Sequence, residues 1–209
     1  MRVLDLFAGL GGWSAAFKDR GHHIVTSDID PEFGCTVTGD ITALLTQSKI
    51  DDAGPYDIIL ASPPCEAFSV ASIGTHWAEG YTPKTEAARR AIGVVLSTIF
   101  LIDYIEPRWW IMENPRGMLR KMPFMAPFPR QTVTYCSYGD GRMKPTDLWG
   151  DFPDTLMFRP MCKNGASCHE SAPRGAKTGT QGIKGAALRA VVPYQLSEDV
   201  CIACEEALA

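Results

Sequence analysis

The stretch "ILASPPCEAFS" (59–69) drives an apolar run into two prolines and then presents a thiol, Cys65. Most intracellular cysteines are inert packing residues, so Cys65 needs a partner before it implies chemistry. The stretch "ENP" (113–115) offers one, a carboxyl group at Glu113 on a second proline-braced turn. A thiolate can attack an electron-poor ring carbon while a carboxyl group protonates a ring nitrogen. Proline restricts the backbone, so each turn can hold its reactive group at a set position. The pairing, not the cysteine alone, carries the functional reading.

A second constellation precedes this pair. "FAGLGG" (7–12), "SDID" (27–30) and "GDI" (39–41) each follow a short apolar run. Glycines let a backbone approach a ligand closely, and an acid about 20 residues on can accept hydrogen bonds from ribose hydroxyls. "GLGG" is not G-x-G-x-x-G, and no third glycine stands where a pyrophosphate turn needs one. A cofactor with a nucleoside but no pyrophosphate fits better, and S-adenosylmethionine is the candidate.

The elements that must position these groups can be traced along the chain. "RVLDLF" (2–7), "HIVTSDID", "CTVTGDI" and "YDIILAS" read as buried strands, and "WSAAFKDRG" as a helix ending at Gly21. "KTEAARRAIGVVLSTIFLIDYI" (84–105) reads as a long helix, "RWWIMEN" (108–114) and "QTVTYCSYG" (131–139) as further strands, and "LSEDVCIACEEAL" as a closing helix with Ser197 as N-cap. Alternating strands and helices predict an α/β fold with a mainly parallel, doubly wound sheet. Ligands of such sheets sit beyond the carboxyl ends of the strands, where every unusual stretch named above falls.

The expected organisation is a catalytic domain over 1–149, a small irregular insert over 150–188, and a C-terminal segment, 189–209, packing back on the catalytic domain. The 209 residues suit one domain, 45% of them are hydrophobic, and no apolar run is long enough to span a membrane. Without a basic n-region and signal-peptide core, the chain is expected to be cytoplasmic, and a monomer is favoured. Seven cysteines predict free thiols rather than a disulfide framework. The net charge of −4 argues against a broad non-specific nucleic-acid surface but leaves room for a basic cleft, drawn from 115–122, 141–146 and the tract from Arg174 to Arg189.

"DLFAGLGG", "SDID", "GDI", "SPPCEAFS" and "ENP" occur in the order and spacing of the DNA (cytosine-5)-methyltransferases, and over residues 1 to about 145 the chain resembles that family. The resemblance implies a Rossmann-like methyltransferase fold and a DNA substrate. It implies that S-adenosylmethionine lies against Phe7, Ala8, Gly9, Gly11 and Gly12, with Asp28 at the ribose, Asp40 and Ile41 near the adenine, and Trp13, Ile29 and Pro63 also in contact. Cys65 matches the nucleophile and Glu113 the acid that protonates N3 of cytosine. Ser62, Pro64, Ser69, Asn114 and Lys144 are the expected substrate contacts, with Arg142 a third catalytic group.

Departures from the family pattern are equally visible. Glu66 stands where the family usually has Gln, and Pro115 where it usually has Val. The Q-x-R-x-R block is replaced by "YGDGRMK" (138–144), in which Arg142 and Lys144 could serve, and "RAVVPYQL" (189–196) could stand in for the G-N block by folding back. The short region after 150 leaves RNA or a free nucleotide as an alternative substrate, and a silent binding module as a reading from another class. Within "CKNGASCH", Cys162, Cys168 and His169 could bind zinc, with Cys136 or another residue as fourth ligand, against ordinary free thiols. Cys201 and Cys204, spaced C-x-x-C on the closing helix, read as core.

Overall fold

A computed structural model describes residues 1–44, 55–170, 183 and 185–209. The basic tract from Arg174 and the acidic stretch from Asp51 therefore lie partly outside the described residues.

Seven strands form one sheet: β1 Arg2–Leu6, β2 His23–Asp28, β3 Val37–Thr38, β4 Ile58–Ala61, β5 Trp109–Pro115, β6 Arg130–Thr134 and β7 Pro145–Asp151. Their spatial order is β3-β2-β1-β4-β5-β7-β6, parallel from β3 to β5 and antiparallel where β7 pairs with β5 and β6. The order reverses between β1 and β4, so the turns after these neighbouring strands open into one crevice. Register brings them level: Leu6 pairs with Ser27 and Ala61, and Ala61 with Met112. Phe7, Ser62 and Glu113 are thus the next residues of three adjacent strands.

Strand alternation builds two cores. Leu4, Leu6, Ile59, Ala61 and Met112 face a cluster covered by the helix Glu86–Ile105. Val3, Ile58, Leu60 and Ile111 face the other, with Phe17 and the closing helix. Among the described residues the helices are α1 Ala15–Asp19, α2 Ile41–Leu44, α3 Ile73–His76, α4 Glu86–Ile105, α5 Ala186–Ala190 and α6 Tyr194–Leu208. None is long and apolar enough to cross a membrane. Thr85 caps α4 by accepting the Ala88 N–H.

Several expectations are corrected. β7, Pro145–Asp151, is a strand beyond those expected; its Pro, Asp and Gly read poorly as a strand until β5 and β6 flank it. The strand expected over 131–139 stops at Thr134 and tightens into a 3₁₀ turn, Tyr135–Tyr138. α6 begins at Tyr194, so Ser197 is not its N-cap. Ser197 Oγ instead accepts the Ala16 N–H (3.2 Å) and donates to Trp13 O (2.5 Å), capping α1 from another element. Cys201 and Cys204 are buried beside Phe17, as core residues.

Candidate active site

The loop after β4 carries the thiol. Phe68 and Ser69 donate their N–H groups to Cys65 O, closing a tight turn. Phe68 stacks on Trp77, whose Nε1 donates to Ala67 O at 2.7 Å. The loop after β5 locks against it. Met118 N donates to Phe68 O (2.7 Å), Asn114 Nδ2 to Pro63 O (3.0 Å), and a Cβ on Gly117 would lie 2.2 Å from Phe68 O. Only glycine admits that approach.

Glu113 is buried, and Tyr135 Oη donates to its Oε1 at 2.8 Å. Lys144 Nζ lies 3.6 Å from the same oxygen and 4.3 Å from the Tyr135 ring centroid. Lys144 has a left-handed backbone (φ 25°), a conformation that costs a non-glycine residue of order 1 kcal/mol and clusters at functional sites. Arg142, expected as a third catalytic group, is forked onto Asp140 (Nε to Oδ1, 2.8 Å) and donates from one terminal nitrogen to Arg189 O at 3.0 Å. The cation facing Glu113 is therefore Lys144, because Asp140, two residues before Arg142, holds the guanidinium.

Burial pushes the Cys65 thiol up to about 11, with the Glu113 and Glu66 carboxylates adding to the rise and Lys144 opposing it. The thiol is thus held protonated at neutral pH until its surroundings change. Ser62 Oγ and Asn114 Oδ1, both buried, have no hydrogen-bond partner among the described residues. Buried polar atoms of this kind fit a site that receives a polar ligand. Pro64 is exposed and Ser69 is half-buried, its Oγ 2.9 Å from Ser72 Oγ.

A cavity of about 180 Å³ opens beside the thiol loop, lined by Leu6, Phe7, Ser27, Asp28, Ile29, Gly39, Asp40, Ile41, Pro64, Arg90 and Val94. Its walls are mostly apolar with carboxylates at the edge, which suits an adenosine. Asp28 accepts the N–H groups of Gly9 and Asp30, both at 3.0 Å, and so braces the glycine turn. Asp40 accepts from Thr42 N (2.9 Å) and Oγ1 (2.8 Å), which holds its pKa below the usual carboxylate range. Ile29 is 56% exposed, an apolar face free for a ring. Phe7 has φ 61°, and Gly9 and Gly11 are also left-handed. Gly12 serves a different purpose, since a Cβ there would lie 2.8 Å from Val192 N and its absence admits the C-terminal segment. Ala8 donates its N–H to Ser27 O (3.0 Å), Pro63 is buried, and Trp13 sits in the core against Phe17 rather than on the cavity wall.

Two groups were missed by reading the sequence alone. Tyr135 sits within an expected strand, and only folding brings its hydroxyl to Glu113. Asp5 is wholly buried, accepts from Ser14 Oγ at 2.6 Å, and is pushed up to about 7 by burial; its Oδ1 has no partner among the described residues. A carboxylate within an apolar strand was the available signal.

Of the basic segment at 115–122, Arg120 is spent on the buried Asp147, with Nε to Oδ2 at 2.8 Å, leaving Arg116 and Lys121 exposed. Cys162, Cys168 and His169 meet Cys136, with their ligand atoms all within 4.8 Å of one another.

Comparison with known proteins bears on the family and the fold. Residues 1–123 match the C-5 cytosine-specific DNA methylases. A frog virus 3 protein named as a probable DNA (cytosine-5)-methyltransferase is 30% identical over 177 residues, covering 78% of each chain. The type II methyltransferase M1.HphI of Haemophilus parahaemolyticus is 27% identical over 128 residues, 54% of this chain and 32% of that protein. A solved structure described as a DNA modification methyltransferase encoded within a prophage (E. coli) superposes with a TM-score of 0.55 at 16% identity, over 78% of this chain and 52% of that one. That last likeness shows the Rossmann-like methyltransferase fold alone. The chain spans about a third of the type II relative and most of the viral one. On the strength of the matched residues and the viral relative, the chain belongs to the C-5 cytosine-specific DNA methylases.

Proposed function

We propose that the protein methylates C5 of cytosine in DNA, with S-adenosylmethionine as donor and Cys65 as nucleophile. The observation that carries this reading is the Cys65 thiol under the influence of Glu113, whose carboxylate is held by Tyr135 and Lys144. S-adenosylmethionine, when bound, supplies an electrophilic methyl group. Phe7, Ile29 and Ile41 would hold its adenine, Asp28 its ribose, and the 7–12 turn its amino-acid end.

The chain's own residues prepare the acceptor. A cytosine leaves the base stack, at a cost of a few kcal/mol if paired. Cys65 would give its proton to solvent water and bond C6 through sulfur; the ring electrons would shift so that N3 takes a proton from the carboxylic acid form of Glu113, and C5 becomes nucleophilic. C5 would then bond the methyl group that bound S-adenosylmethionine supplies, the methyl–sulfur bond breaking with its electron pair left on the departing thioether. The C5 proton passes to water, the C6–S bond breaks with its pair returning to sulfur, and N3 returns its proton to Glu113. Protonating N3 matters twice, since it also directs electron density to C5. Lys144 holds the acid in place, and the insert over 150–188 would supply a reduced target-recognition surface.

The test is transfer of label from S-adenosylmethionine to double-stranded DNA, single-stranded DNA and RNA, with Cys65→Ser alongside. The expected result is label that digests to 5-methylcytosine, with transfer lost in Cys65→Ser, and covalent trapping of the unmodified enzyme on 5-fluorocytosine DNA. Label confined to RNA, or cofactor binding without any transfer, would sink the DNA reading.

A further inference from the structure

The segment after β7 has no regular structure over Phe152–Glu170 and few buried side chains beyond Leu156. Part of it is tied down by ordinary contacts. Arg159 forks onto Asp199 (2.7 and 2.9 Å), and Ser137 Oγ donates to Pro160 O at 2.9 Å. Past Pro160 the chain is mostly exposed, yet it turns back at Lys163–Gly165 and returns two sulfur or nitrogen ligands to the place where it left one. Cys162 N donates to Thr134 Oγ1 (2.8 Å), which seats this first thiol against the end of β6.

Cys162 Sγ lies 3.1 Å from Cys168 Sγ and 3.7 Å from His169 Nδ1; Cys168 Sγ lies 3.5 Å from the same nitrogen. Cys136, buried on the 3₁₀ turn after β6, places its thiol in hydrogen-bonding contact with both other thiols. A tetrahedral zinc with Zn–S of about 2.3 Å and Zn–N of about 2.0 Å has sulfur–nitrogen edges of about 3.5 Å and sulfur–sulfur edges of about 3.8 Å. Two of the three sulfur–nitrogen edges already match, and the Cys162–Cys168 sulfur–sulfur edge needs to open by a fraction of an ångström. All four ligand atoms fall within 4.8 Å of one another.

We propose that Cys136, Cys162, Cys168 and His169 form a closed structural zinc site that clamps the irregular 152–170 segment to the catalytic domain. Four protein ligands leave no open position for water, so the metal's role is structural. Binding energy at such a site is folding energy, which a segment with so small a core needs. The clamp also reaches the reaction centre, because Tyr135, adjacent to Cys136, donates to Glu113. Another cluster, His22, Cys201 and Glu205, is a different case: Glu205 is occupied by Arg20 and His22, and His22 Nδ1 by the N-terminus. The zinc site does not depend on the role assigned to Cys65.

The test is metal analysis of the whole chain, purified under reducing conditions without chelator. The expected result is one zinc per chain, replaceable by Co²⁺ with the intense visible bands of a tetrahedral, thiolate-rich site. Cys136→Ser and Cys168→Ser should each lose the metal, while Cys35→Ser, at a half-buried cysteine outside the cluster, retains it. Chelation of the unmodified protein should raise protease sensitivity within 152–170 and leave the rest of the sheet resistant. A folded chain that takes up neither zinc nor cobalt overturns the proposal. So does metal that survives in a chain carrying both Cys136→Ser and Cys168→Ser, or a Cys162–Cys168 disulfide that persists in the presence of reductant and zinc.

Discussion

Cys65 combines two requirements that oppose each other. As the proposed nucleophile it would need a loop that excludes water around the ring, and its burial, with Glu113 and Glu66 nearby, pushes the thiol up to about 11. A raised thiol pKa keeps the free enzyme unreactive toward adventitious electrophiles. On the proposed reading, a proton held between Glu113 and N3 of a bound cytosine would lessen the negative charge that opposes the thiolate, so proton placement and nucleophile activation would be linked. Removing a neighbouring carboxylate stabilises the thiolate and lowers the pKa of Cys65. Glu113→Gln should therefore increase the alkylation rate of Cys65 at pH 8 by severalfold, read by mass spectrometry at that cysteine, while abolishing methyl transfer. Lys144→Met should move alkylation the opposite way. An unchanged alkylation rate in Glu113→Gln would break the electrostatic link between the two residues. Glu66, standing where the family usually has Gln, contributes to the same rise.

At the scale of elements, the loop after β5 is held by β7, the antiparallel strand inserted between β5 and β6. Asp147 on β7 is wholly buried and takes both Arg120, from the loop after β5, and Thr132 Oγ1 of β6 (2.8 Å). One carboxylate thus ties the ENP turn's continuation to two strands. Removing Asp147 leaves the partly exposed Arg120 and the Thr132 hydroxyl without their acceptor. Asp147→Ala should lower unfolding free energy in denaturant by about 1–3 kcal/mol. An Arg120→Met, Asp147→Leu double variant should recover part of the loss. A loss below about 1 kcal/mol would mean the pair is solvated rather than structural.

For the whole molecule, the chain's end matters to its beginning. Val192 and Ser197 reach back to the first glycine turn and to α1, and Ser197 does so across a sequence separation of 184 residues. Gly12 permits the contact, since any Cβ would collide with Val192 backbone. Gly12→Ala should destabilise the fold by about 1–3 kcal/mol through displacement of the C-terminal segment, and weaken S-adenosylmethionine binding as a consequence. Calorimetry of both would check it; unaltered stability would show that the segment moves aside freely. Such long-range closure fits the lost G-N block, with "RAVVPYQL" folded against the glycine turn.

The residue sequence by itself determined the parallel strands, the long helix α4 and the identity of the thiol, acid and glycine turn. Those signals are local: apolar runs of strand length, proline and glycine punctuation, and motif spacing that survives without knowledge of the fold. β7 was illegible because a strand containing Pro145, Asp147 and Gly150 is stabilised by neighbours on both sides, not by its own propensity. Ser197 looked like a cap for its own helix and proved to cap another. The assignment of the acid's cation to Lys144 rather than Arg142 also needed the tertiary structure, since both residues are basic and two apart, and only the position of Asp140 separates them. Cys136 lies 26 residues before Cys162. Its place beside the other two thiols follows from the packing of β6 against the segment beyond β7, a distance in space that spacing along the chain does not encode.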